Sequence, residues 1–276
     1  MGLSKGSPSS NNLLVGPHGL AHFRYMRRFF NAPVAVLDEL CVTYGSVCRL
    51  GFGPLRVVII GDPTVLRELF ATSTESFRWG NKFNVLGFVV GNESMIVSDG
   101  PDHTRRRSSV QAAFSRRRLN GWIPMIIERT DVAIDRLTDT LKERDQIVDL
   151  YPIGRMLVLE VAIRALFGER LAARTMEIGN LFERPQEYLE SSFFKQLPHP
   201  FPFTARSRVR SDRRALDAII DAEIAQRRSQ PSGDPLDVLE NLVKEGTLSD
   251  SEIRNQVVSL IGAGYNTTAA SLAWMM

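Results

Sequence analysis

The last 20 residues of the chain, Val257 to Met276, carry no charge, and their middle reads "IGAGYNTTAAS". This stretch limits the possible folds more than any other. An uncharged helix of this length must either be buried on most sides or lie in lipid, since about 20 apolar residues suffice to span a bilayer. Ser259, Asn266, Thr267, Thr268 and Ser271 interrupt it. Gly262 and Gly264 weaken it further, each by about 1 kcal/mol relative to alanine. A buried core helix is the better reading. The glycines would clear bulk where something flat or large approaches the backbone, or where a second helix crosses closely. Thr267 is placed to bond the carbonyl of Ala263 one turn back, which would loosen that turn. Ser249 and Glu252, three residues apart, form a capping box that predicts a helix over 250–276.

Helical signals dominate the rest of the chain. "PVAVLDELCVTYG" predicts a helix with Val34, Leu37, Leu40 and Cys41 on one face and Gly45 past its end. "SVCRLGF" and "LRVVII", separated by Gly53-Pro54, read as a hairpin, and Asp62-Pro63 starts the next helix. Residues 76–98 show no period and are expected as a long loop. Further helices are expected at 101–117, 122–143, 151–167, 172–191, 205–229 and 235–245, with "LPHPFPF" at 197–203 as a breaker. The expected fold is mainly α with a small N-terminal β-sheet. It is preceded by a flexible Ser/Asn/Gly-rich tail over 1–16, leaving 17–276 as part of one domain.

Composition narrows the function. The 276 residues are 43% hydrophobic, enough for a sizeable core, and the net charge is only +3. That balance does not by itself argue for nucleic acid or an anionic membrane, and no secretory signal opens the chain. Cys41 and Cys48 are the only cysteines, without metal-ligand spacing. They read as reduced thiols, and the expected location is cytoplasmic.

"SDGPDHTRRRSSVQAAFSRRRL" spans Ser98 to Leu119. Gly100-Pro101 starts a helix, with Asp99 or Asp102 as a cap. His103 and Arg107 lie four apart on one face, an imidazole beside a guanidinium suited to a carboxylate or phosphate. Val110 and Phe114 extend the inner edge. The two arginine triplets lack the aromatic platforms of a nucleic-acid site, so no nucleic-acid partner is expected.

Two segments together resemble a known family. "DGPDHTRRRSSVQAAF" is similar to the haem-propionate helix of bacterial cytochromes P450, G-x-x-H-x-x-x-R with a later Phe. "AGYNTT" is similar to that family's oxygen-activating motif, A-G-x-[DE]-T-T, and the stretch around the hairpin also resembles the family's first strands. The resemblance covers about residues 17 to 276.

It implies that His103 and Arg107 bind the propionates of haem b and that Ala263 and Gly264 form the groove where oxygen sits. Thr267 would hydrogen-bond that oxygen and relay protons to it. Phe83, Phe88 and Val89 would line the pocket of an apolar substrate. The reaction implied is insertion of one oxygen atom from O2, with electrons from NAD(P)H through ferredoxin- and reductase-type partners and no membrane span.

Asn266 stands where the motif has Asp or Glu, so proton delivery would depend on Thr267 and water. The family's later E-x-x-R helix and proximal Cys loop find no counterpart. The one E-x-x-R here, Glu75 to Arg78, precedes the propionate helix, and Cys41 and Cys48 stand in the wrong context for the ligand. No residue of this chain is therefore expected to ligate the iron. The chain is expected to be the N-terminal portion, ending in the oxygen-binding helix and inactive alone. Two rival readings are a remnant that holds haem or an apolar ligand without chemistry, and a helical protein anchored by residues 257–276.

Overall fold

Asp62 shows how local chemistry sets the elements. Its carboxylate accepts from the backbone N–H groups of Thr64 and Val65, and Pro63, with no N–H to satisfy, takes the first helical position. The computed structural model describes residues 14–29, 31–52, 56–72, 77–78, 84–143, 147–196, 202–230 and 237–275. The chain divides into two units, Met1–Ser76 and Phe77–Met276.

The first unit holds α1 (Gly19–Phe29), α2 (Pro33–Tyr44), strands β1 (Val47–Leu50) and β2 (Val57–Ile60), and α3 (Pro63–Ala71). The strands pair antiparallel, with Cys48 opposite Ile59, as the hairpin signal predicted. Val36, Leu40, Cys48, Leu50 and Ile59 form a core over which α1 contributes Tyr25. The expected inner face of α2 needs correction. Val34, at its exposed start, faces solvent, and Val36 is buried in its place. Burial pushes the Cys48 thiol above its ordinary pKa, and Cys41 is half-buried beside it. Residues 1–13 of the expected tail lie outside the described residues. Its last part is tied down: Arg49 donates to the carbonyls of Leu14 (2.7 Å) and Val15 (2.9 Å).

The second unit is helical: α4 (Val85–Val90), α5 (Gly100–Gln111), α6 (Arg116–Glu143), α7 (Leu150–Phe167), α8 (Glu169–Ala172), α9 (Thr175–Glu190), α10 (Phe193–Gln196), α11 (Ala205–Ser229), α12 (Val238–Glu245) and α13 (Asp250–Met275). The core runs along α13, where Ile253, Val257, Val258, Ile261 and Tyr265 pack against Leu159, Ile163 and Phe167 of α7, Ile178 and Phe182 of α9, and Leu216, Ile220 and Ile224 of α11.

Two expectations change here. The supposed loop over 76–98 contains α4, capped by Asn84, and a 3-10 turn at Met95–Val97. Six apolar residues in a row show no face, so periodicity could not reveal α4. The helix expected over 101–117 ends at Gln111 in a 3-10 turn, and α6 begins at Arg116 with Pro124 inside it. Phe114, expected on the inner edge, is exposed and meets Trp122 edge-on at 6.3 Å between centroids, whereas Val110 is buried as expected.

Candidate haem-facing site

The capping box forms reciprocally. The Glu252 N–H donates to Ser249 Oγ (3.2 Å), and the Ser249 N–H to Glu252 Oε2 (3.0 Å). The same carboxylate receives Arg105, which donates to Oε2 at 3.1 Å and also to Oε1, and Arg106, which donates to Oε1 at 3.0 Å. These partners hold the Glu252 carboxyl at about 2, with the Arg105 hydrogen bond as the largest cause.

One turn further along α13, Gln256 is fully buried. Its Nε2 donates to the Glu93 carbonyl (2.8 Å), and its Oε1 accepts from the Met95 N–H (2.8 Å). Ser259 then shares a hydrogen bond with Ser94 at 2.5 Å. A buried polar seam thus fastens residues 93–106 to the first half of α13 and fixes how α5 is presented.

On α5 the outcome divides by side chain. Arg105 and Arg106 turn to Glu252. His103, half-buried, and Arg107, exposed, make no hydrogen bond or ion pair through their side chains with another described residue. An imidazole and a guanidinium four residues apart therefore have no side-chain partner among the described residues.

On α13 the two glycines separate. A Cβ at Gly262 would lie 3.4 Å from Phe182 Cε1, so this glycine admits a neighbouring ring. One at Gly264 would meet nothing within 4 Å. Ala263 and Thr267 are exposed beside Gly264. Thr267 Oγ1 donates to the Ala263 carbonyl (2.8 Å), Thr268 to that of Gly264 (2.8 Å) and Ser271 to that of Thr267 (2.9 Å). The helix continues unbroken through these bonds.

Asn266 points the other way. Its amide donates to Gln186 Oε1 of α9, which also accepts from the Tyr265 hydroxyl at 3.2 Å, while Asn266 Oδ1 is buried without a hydrogen-bond partner among the described residues. Arg155 of α7 donates to the same tyrosine oxygen at 3.1 Å.

Phe83 lies outside the described residues. Phe88 is half-buried under the Arg206 guanidinium, 3.8 Å from its ring centroid, and Val89 is buried with Val90, Val97, Tyr188 and Val209. No hydrogen bond joins His103 or Arg107 to Ala263, Gly264 or Thr267 among the described residues. What relates the two groups is the seam. Sequence reasoning missed Gln186, Arg155 and Gln256. A glutamine amid apolar residues one turn after a cap was the available signal for the last.

The family model for cytochrome P450 matches residues 17–276. The chain belongs to the cytochrome P450 family. A Mycobacterium tuberculosis protein carried under the name cytochrome P450 139 is 33% identical over 241 residues, 83% of this chain and 53% of its own. Cytochrome P450 137 of the same species is 29% identical over 95% of this chain and 58% of its own. The chain thus spans about half the length of the curated cytochromes P450 it matches.

Among solved structures, the retinoic acid-bound cyanobacterial CYP120A1 superposes with a TM-score of 0.70 at 23% identity, over 85% of this chain and 52% of that one. The cytochrome P450 CYP102L1 gives 0.72 at 20% identity, over 89% and 58%. These two establish a shared fold. The mainly helical part of the cytochrome P450 fold expected from the motifs is the fold found. No helix among the described residues is long and apolar enough to cross a membrane.

Proposed function

We propose that this chain forms the propionate-holding and oxygen-side walls of a haem site in a monooxygenase that inserts one oxygen atom from O2 into an apolar organic substrate. The observation that carries this reading is that His103 and Arg107, whose side chains have no hydrogen-bond or ion-pair partner among the described residues, lie on a helix fastened by Glu252 to the one that bears Thr267. The residues fit haem b: two free donors suit its carboxylates, and the open face at Gly264 leaves room for a flat group. Haem, when bound, supplies the one-electron and O2 chemistry.

The chain's own part is positional. His103 and Arg107 neutralise and orient the propionates. Ala263 and Gly264 keep the helix face low, and the Thr267 hydroxyl holds a proton near it while anchored to the Ala263 carbonyl. Phe83, Phe88 and Val89 are proposed as substrate walls on the resemblance. Electrons would come from NAD(P)H through ferredoxin- and reductase-type partners. The free thiols Cys41 and Cys48 suit a cytoplasmic location.

Haem titration of the full chain, followed by absorbance, tests the reading. The His103→Ala/Arg107→Ala double variant is expected to bind haem at least about tenfold more weakly, since each charge-assisted hydrogen bond contributes roughly 1.5–3 kcal/mol before solvent screening. Equal affinity in the two proteins would refute the assignment.

Asn266 gives a second prediction. A carboxylate at this position cannot donate to Gln186 Oε1, so two acceptors would face each other unless the Gln186 amide turns, which would break its 2.9 Å bond to Glu190. Asn266→Asp is expected to cost about 1–2 kcal/mol of stability, measured by urea denaturation. In an active form it is expected to raise substrate oxidation relative to peroxide release, provided the new carboxylate turns from Gln186 toward the Thr267 side of the helix. Coupling that stays equal or falls would remove Asn266 as the limit on proton delivery.

A further inference from the structure

Between α9, α10 and α11 lies a cleft of about 190 Å3 whose lining includes none of the residues assigned above to haem or oxygen, although its Tyr188 and Val209 pack with Val89. Three cations line it: Arg184 from α9, Lys195 from α10 and Arg208 from α11. Glu187 also lines it, and Arg184 already faces the buried Asp212, with Nε 3.0 Å from Oδ2. Lys195 and Arg208 are exposed, and their side chains make no hydrogen bond or ion pair with another described residue. Once Glu187 and Asp212 are set against the three cations, one positive charge is left over. Val209, buried at the base, supplies an apolar floor.

We propose that this cleft binds a small organic monocarboxylate, its charged end between Arg208 and Lys195 and its apolar body against Val209. A guanidinium presents parallel N–H groups that match a carboxylate bidentately, and Lys195 adds a point charge from a different helix. The leftover charge matches a monoanion better than a phosphate dianion. The volume lies below the ~300–1,000 Å3 of drug-sized sites, so the ligand is small. Because the anion draws together cations from separate helices, binding raises the melting temperature.

The test does not depend on haem. Calorimetric titration of the full chain with benzoate is expected to show saturable binding and a concentration-dependent rise in melting temperature. Benzyl alcohol, the uncharged counterpart, is expected to show neither. The Lys195→Gln/Arg208→Gln double variant keeps the unliganded melting temperature, because neither side chain bonds another described residue, and weakens benzoate binding at least tenfold. The Arg208→Lys variant recovers part of it. Absence of saturable benzoate binding overturns the proposal, as does undiminished binding by the double variant. Inorganic phosphate binding tighter than benzoate would also overturn the carboxylate assignment.

Discussion

Replacing Arg227 with alanine is expected to lower the stability of the chain by about 3–5 kcal/mol, the usual result of removing one partner from a buried ion pair. The guanidinium is only 4% exposed and uses all three nitrogens. Nε donates to Glu223 Oε1 (2.6 Å), Nη1 to Asp237 Oδ1, and Nη2 to the Phe167 carbonyl at the end of α7 (2.6 Å). One side chain of α11 therefore holds the C-terminus of α7 and the N-cap of α12. Its loss leaves Glu223, Asp237 and the fully buried Glu240 close together, with Arg170 and Lys244 as the remaining cations.

Room for this arrangement depends on Gly168. Its φ of +81° favours glycine, and a Cβ there would lie 2.6 Å from Asp237 Oδ2. Urea denaturation followed by circular dichroism measures the loss. A midpoint shift equivalent to less than about 1 kcal/mol would show that the pocket around Arg227 rehydrates freely and that the arginine is not its keystone.

The second large effect belongs to Glu252 and is visible as pH dependence. Its folded pKa of about 2 lies below the ordinary value of 4.5. The unfolded state therefore takes up its proton first as pH falls. The stabilisation is fully present above about pH 5 and disappears as the pH drops through the folded value. A shift of this size corresponds to about 3 kcal/mol. Glu252→Gln is expected to lose roughly that amount at pH 7, because Arg106, itself buried, then faces a neutral amide. It is also expected to flatten the acid limb of the stability curve between about pH 5 and 2. Thermal melts of both proteins across that range decide it. Parallel curves would mean that other carboxylates dominate acid unfolding.

Much of the fold was legible because helix order depends on local signals. Asp62-Pro63, Ser249 with Glu252, and the glycine after α2 each mark an end by chemistry confined to a few residues. The α4 helix escaped because "VLGFVV" is apolar on every side, and the break at 112–115 because nothing in "QAAFS" forbids a helix.

The spacings within the candidate site were legible for the same reason. His103 and Arg107, or Ala263 and Thr267, are neighbours one turn apart, so spacing alone relates them. Arg105 and Arg106 could not be told from Arg107 in the run of three, since only the position of Glu252 decides which of them turn inward. The pairing of Asn266 with Gln186 joins residues 80 apart and leaves no local mark.

That separation is greater still in the polar seam, where Ser94 meets Ser259 and Gln256 meets Met95 across 165 and 161 residues. Contacts this distant close the longest loops in the second unit, and they become favourable only after the entropy of that closure has been spent. The helical core of α7, α9 and α11 can assemble from nearer neighbours, whereas α5 must wait for α13 to be in place. The helix that presents His103 and Arg107 therefore docks late as the chain folds, and the grip on haem proposed for that pair would form only after α13 is in place.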